Sequence, residues 1–158
     1  MTGASRRHNL LVMAIASSLY GQLRGQPCEV YASDLRVRVV ASGLYTYPDV
    51  VVTCGEPLFE DDQIDTLLTP SVLIEVLSRS TMAYDRGDKF EHYRTIDSLS
   101  EYIMVAQDKY LVEHFTRQPD HFWLFSEARA LEQTVRIASI GCTLAMREIY
   151  ERIRFDDR

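Results

Sequence analysis

Ser71-Val-Leu-Ile-Glu-Val-Leu-Ser78 places a single carboxylate, Glu75, inside an otherwise apolar run. Bounded by Pro70 and Ser78, the run reads as a buried strand. An ionised carboxylate there is expensive unless something pairs with it. Glu75 therefore stands at an accessible strand edge, in a buried ion pair, or in a cleft that holds a cation. Asp49 is a second acid, after Pro48 and at the head of the apolar stretch Val50-Val51-Val52. If the two strands are neighbours, as consecutive elements usually are, both acids meet at one end of a sheet. Two converging anions repel unless a cation sits between them. Oxygen ligands of this kind suit Mg²⁺ or Mn²⁺, and such an ion could orient water and stabilise charge on a phosphate being cut. Lys89 follows on the next helix, with a stem long enough to reach back to the strand end. Positioning and charge stabilisation suit its ammonium better than base chemistry.

Each residue also has a plainer reading. Asp49 could be a turn residue after proline. Glu75 could pair with Arg79 or Arg38, since structural pairs also place acids in sheets. Lys89 could be a solvated helix lysine paired with Asp85 at i,i+4. Tyr93 could line the cleft or belong to the core. His8, with Arg6 and Arg7, could touch a phosphate backbone or simply open a solvated helix.

The elements that must position these residues can be read along the chain. Residues 5–23 predict an amphipathic helix, capped by Ser5, with Leu11, Ala14, Ile15, Leu19 and Leu23 at helical spacing and Gly25 and Pro27 as its stop. Its two arginines before an apolar stretch mimic a signal peptide, but the stretch is too short to span a membrane. Strands are expected in CEVYA, DLRVRVV, YPDVVVTCG and SVLIEVLS, with ASGLYT a turn and EPLFEDDQIDTLLTP an acidic loop. Residues 80–97 predict a second helix, weakened at Gly87. EYIMVAQ and YLVEHFT form a hairpin through Asp108 and Lys109, HFWLFS is a further strand, and TLAMREIYERI closes the chain as a short helix. The order predicts one α/β domain over residues 1–158 with a mixed sheet.

The totals narrow the function classes. The chain has 158 residues, 46% apolar and 25% charged, an ordinary globular balance for one domain with its own core. A net charge of −6 gives no basic footprint for nucleic acid, although local charge matters more than the sum. Cys28, Cys54 and Cys142 are scattered, with no C-x-x-C and no H-E-x-x-H, so a structural zinc site is not expected. They read as small core residues suited to a reducing cytoplasm.

Taken together, YPDVVV, SVLIEVLSRST, YDRGDKFEHYR and SEYIMVAQD resemble the Uma-two family, a bacterial group in the PD-(D/E)XK nuclease superfamily. The resemblance runs from SRRHN to EIYERI, nearly the whole chain. It implies a restriction-endonuclease-like α/β core, a central mixed β-sheet flanked by helices. Asp49 takes the place of the motif aspartate and Glu75 that of its second acid. The superfamily's lysine stands two positions after that acid, where this chain has Leu77, so Lys89 would be its replacement from the following helix. The backbone carbonyl of Val76 would be a further metal ligand. The resemblance also implies an N-terminal segment before SRRHN, so this chain would be a shortened member. The implied activity is divalent-metal-dependent hydrolysis of DNA phosphodiester bonds, with Mg²⁺ or Mn²⁺ as cofactor. A cytoplasmic homodimer without a membrane partner is expected, since two strands call for two sites. The alternatives are a catalytically silent nuclease fold that binds nucleic acid or regulates, and a structural oligomeric module.

Overall fold

The structure is a computed structural model, which describes residues 4–60 and 65–155. Ser5 accepts a hydrogen bond from the His8 amide and caps helix α1 (Arg6–Gln22). Strands β1 (Cys28–Ala32), β2 (Arg36–Val39), β3 (Leu44–Thr46), β4 (Val50–Cys54), β5 (Thr66–Leu67) and β6 (Val72–Leu77) follow. Two short helices come next, α2 (Met82–Arg86) and α3 (Asp88–Tyr93). The chain ends with β7 (Glu101–Ala106), β8 (Val112–Arg117), β9 (Trp123–Ala128), β10 (Thr134–Ile137), β11 (Cys142–Ala145) and the single-turn helix α4 (Met146–Ile149).

Six strands form the central sheet, in the order β1-β4-β6-β7-β8-β9. Only β6 and β7 pair in parallel, so the sheet is mixed, as expected. Every residue of β6 and β7 is buried. That explains their nearly unbroken apolar sequence: both faces of a central parallel pair are covered. On one face Val50, Val52, Val72, Ile74, Ile103 and Val105 pack under α1, the β10–β11 hairpin and α4. On the other, Val51, Leu73, Tyr102 and Met104 pack under α3 and the three-stranded sheet β3-β2-β5. Strand alternation sends Glu75 to the second face, with Leu73 and Leu77.

Several expectations change. ASGLYT is more than a turn, because Leu44–Thr46 pairs back onto β2 as β3, with Gly43 at φ 78° in the connection. The acidic stretch contains the short strand β5 and a bridge from Phe59 to Leu67; residues 61–64 lie outside the described residues. The helix expected over 80–97 breaks at Gly87 into α2 and α3, with the Gly87 backbone at φ −102° and ψ −91°. The closing helix is mostly strand β11 plus one helical turn. Leu144, Ile149 and Ile153 still point inward, but Leu144 does so from a strand. Cys28 and Cys54 are directly opposite in the β1–β4 ladder and form a disulfide, leaving Cys142 as the buried free thiol. This pairing removes the support that three lone thiols gave to a reducing compartment. Among the described residues, no helix is long and apolar enough to cross a membrane.

Candidate functional site

The antiparallel register of β4 and β6 pairs Val52 with Val72, Val51 with Leu73 and Val50 with Ile74. One step further, Asp49 falls opposite Glu75. The ladder itself thus brings together two acids that lie far apart along the chain. The Asp49 amide stands 3.4 Å from Glu75 Oε1, and Asp49 Oδ2 accepts a 2.7 Å hydrogen bond from the Val76 amide. The next position of the same register is Pro48 opposite Val76. Proline has no N–H to offer the Val76 carbonyl. A strand residue's N–H and C=O face the same neighbour, so this carbonyl is turned toward the Asp49 side.

α3 supplies the cation. Lys89 Nζ lies 2.8 Å from Glu75 Oε2 and 3.1 Å from Asp85 Oδ1. The contact with Asp85 is an ion pair without hydrogen-bond alignment, and Asp85 Oδ1 has no hydrogen-bond partner among the described residues. Lys89 thus makes both the i,i+4 pair and the reach to the strand end, and it is largely buried rather than solvated. Tyr93, one helical turn on, donates a 2.9 Å hydrogen bond to Glu75 Oε2 and lies 3.2 Å from Thr46 Oγ1. The cation of Glu75 is thus Lys89, while Arg38 is held by Glu60. Tyr102 ties α2 down by donating to the Asp85 carbonyl at 2.9 Å.

A residue from the opposite side of the sheet completes the arrangement. His8 Nε2, on the first turn of α1, lies 3.0 Å from Asp49 Oδ1. His8 shares a helix stripe with Leu11, Val12 and Ile15, which are buried. That spacing is the sequence signal that could have turned His8 inward; its target could not be read without the packing of α1. His8, Asp49, Glu75, Asp85 and Lys89 line one cleft of about 770 Å³, bounded also by Tyr47, Tyr84 and Gln107, while Tyr93 lies in the core behind it. Gln107 donates to the Leu77 carbonyl at 2.8 Å and accepts from Ser5 at 2.6 Å, joining the end of β6 to the start of α1.

The electrostatics are uneven. Glu75 is only 3% exposed, and its carboxyl is pushed up to about 7. Burial is the main cause; Asp49 and Asp85 add to it, and Lys89 opposes it without prevailing. Burial works against the Lys89 ammonium too, but Glu75 and Asp85 outweigh it and keep the proton on. The hydrogen bond to Asp49 raises His8, again against the effect of burial. Arg7, His8, Arg79 and Lys89 line the cleft together with Asp49, Glu75, Asp85 and Asp108. Asp49 and Glu75 are oxygen donors of the kind a hard dication would use. Among the described residues no three of His, Cys, Asp and Glu come together as a metal cluster. A cation here would fill its shell with water and backbone oxygen, as Mg²⁺ commonly does.

The model of the family described as "Uma2: Putative restriction endonuclease" matches residues 1–147. The chain belongs to the Uma2 family. Two uncharacterised proteins of Synechocystis sp. are similar to this Uma2 chain. One is 38% identical over 127 residues, covering 80% of this chain and 72% of the relative. The other is 33% identical over 155 residues, covering 98% of this chain and 80% of the relative. Among solved structures, a "putative nuclease belonging to DUF820" from Anabaena variabilis superposes with a TM-score of 0.77. At 13% identity, over 95% of this chain and 83% of that one, the match shows a shared fold.

Proposed function

We propose that this Uma2 chain is a divalent-metal-dependent endonuclease that hydrolyses DNA phosphodiester bonds in the Asp49–Glu75–Lys89 cleft. The observation that carries the reading is Glu75, a buried carboxylate set opposite Asp49 by the strand register, beside Lys89 and open to the cleft. Family membership supports it. Asp49, Glu75 and the Val76 carbonyl would hold Mg²⁺ or Mn²⁺. When bound, the ion supplies Lewis acidity toward a phosphate oxygen and lowers the pKa of water. The protein's part is placement. Val76 N–H fixes one Asp49 oxygen, and Tyr93 and Lys89 fix one Glu75 oxygen, leaving Glu75 Oε1 with only the long contact to the Asp49 amide among the described residues. Lys89, anchored by Asp85, stabilises charge developing on the attacked phosphate.

One observation favours the catalytically silent alternative. His8 and Lys89 already pair with the two acids, as they would in a purely structural cluster. Incubation of purified protein with supercoiled or heat-denatured plasmid and Mg²⁺ or Mn²⁺ decides between them. The expected result is nicking that stops in EDTA and falls by roughly a hundredfold or more in Asp49→Asn and Glu75→Gln. Cleavage that persists in both variants, or no cleavage by the wild type of either supercoiled or heat-denatured plasmid with either ion, removes the proposal.

A further inference from the structure

Large tyrosine rings stand exposed around the acid pair: Lys89 Nζ lies 5.5 Å from the centroid of Tyr84, Tyr45 donates to Glu60 at 2.7 Å, and Tyr47 has no such partner among the described residues. Tyr47 lines the cleft two residues before Asp49 and is 58% exposed; Tyr84 lines it from α2 and is 41% exposed. Tyr45 is also exposed, while Thr46 between the two tyrosines is buried. In an extended chain that alternation puts Tyr45 and Tyr47 on the same side. The Tyr45 ring in turn carries two guanidinium groups, Arg36 at 5.0 Å and Arg38 at 5.2 Å from its centroid. A row of aromatic faces thus leads from the cleft along β3 to a pair of arginines.

We propose that this row binds unpaired nucleotides, so that the substrate of the cleft is single-stranded nucleic acid. Bases stack on Tyr84 and Tyr47 on either side of the acid pair, and the strand runs on over Tyr45 toward Arg36. The inference rests on the nuclease reading of the same cleft and names its substrate class. Base faces are open to an aromatic ring only when the base is out of a duplex. A duplex would instead be held through its phosphates by many Lys and Arg contacts. This chain carries −6 net charge, and Arg38 is already engaged by Glu60. Stacking supplies affinity that does not depend on a large basic surface.

Fluorescence anisotropy in EDTA, where no strand is cut, tests this directly. The probes are labelled oligothymidine, oligouridine and a duplex of the same length. At least one single strand is expected to bind about tenfold or more tighter than the duplex; the ratio of the thymidine and uridine arms tells DNA from RNA. Tyr47→Ala should weaken single-strand binding about tenfold, and Tyr45→Ala by a smaller factor. Tyr47→Phe should bind as wild type does, because stacking needs the ring and not the hydroxyl. An unchanged melting temperature in Tyr47→Ala keeps folding out of the comparison. Duplex binding equal to single-strand binding, no single-strand binding, or an unaffected Tyr47→Ala overturns the inference. Metal-dependent cleavage without single-strand preference would sink this inference alone. Preference without cleavage would sink the nuclease reading alone.

Discussion

Glu75 and Glu101 are glutamates on adjacent parallel strands, both almost fully buried, at 3% and 1% exposure. Their environments push them in opposite directions. Glu101 opens β7 on the face covered by α1, and its partners are complete. His114 Nε2 lies 2.6 Å from one oxygen, while the Ser139 amide at 2.9 Å and the Ser139 hydroxyl donate to the other. Burial alone would raise the Glu101 carboxyl, but these bonds outweigh it and hold it below its ordinary value. Glu75 lies toward the far end of β6 on the other face. It has a lysine and a tyrosine on one oxygen, two further acids nearby, and a carboxyl pushed up to about 7. The same residue type at the same depth is thus a fastener in one place and the wall of a cleft in the other. Glu75 opens into that cleft at the C-terminal end of a parallel pair, the end where α/β sheets commonly place their ligands.

The strongest way to break this contrast is Glu101→Ala. It strands the Ser139 amide and His114 in a closed setting and should cost about 3–5 kcal/mol in urea unfolding. A loss of only a few tenths of a kcal/mol would show that Glu101 is no fastener. The pH dependence of stability probes the other half. In the folded chain Glu75 takes up its proton more readily than in the unfolded chain. Its contribution to stability is therefore complete below its ordinary value of 4.5 and lost as pH rises through about 7. Wild type should lose on the order of 2–3 kcal/mol through this group across that window. His8, also raised, adds a loss of the same sign as pH rises above its ordinary value of 6.5. Denaturant melts of Glu75→Gln beside wild type isolate the Glu75 part: the difference between them should change across the window, and a constant difference contradicts the account. The smallest effect is expected from Tyr93→Phe, which removes one donor from Glu75 Oε2. About 1 kcal/mol of stability should go, with the fold intact by circular dichroism.

The central pair was legible because two apolar strands with an acid at matching positions need only one register to meet, and the chain uses that register. Lys89 was legible because the helical segment that follows β6, broken into α2 and α3, carries it within reach of the strand end. Other parts of the site arise only from packing. His8 meets Asp49 because α1 lies across the sheet, a contact that no local pattern encodes. Glu101 looks like any acid at the start of a strand until the β7–β8 register brings His114 beside it. The β10–β11 hairpin was hidden because a four-residue strand followed by one helical turn, Cys142–Ile149, shares its apolar spacing with a short helix. The disulfide depended on the facing register of Cys28 and Cys54, which the positions of the two cysteines in the sequence do not reveal.

The central proposal is that Asp49 and Glu75 hold a divalent ion beside Lys89, and calorimetric titration of Mn²⁺ into the metal-free protein addresses it most directly. Wild type should bind the ion in the cleft, and more tightly as pH rises past about 7, because the ion displaces the proton from Glu75. Glu75→Gln and Asp49→Asn should each weaken binding about tenfold or more. Undetectable binding by wild type, or equal affinity in all three proteins, would contradict the account.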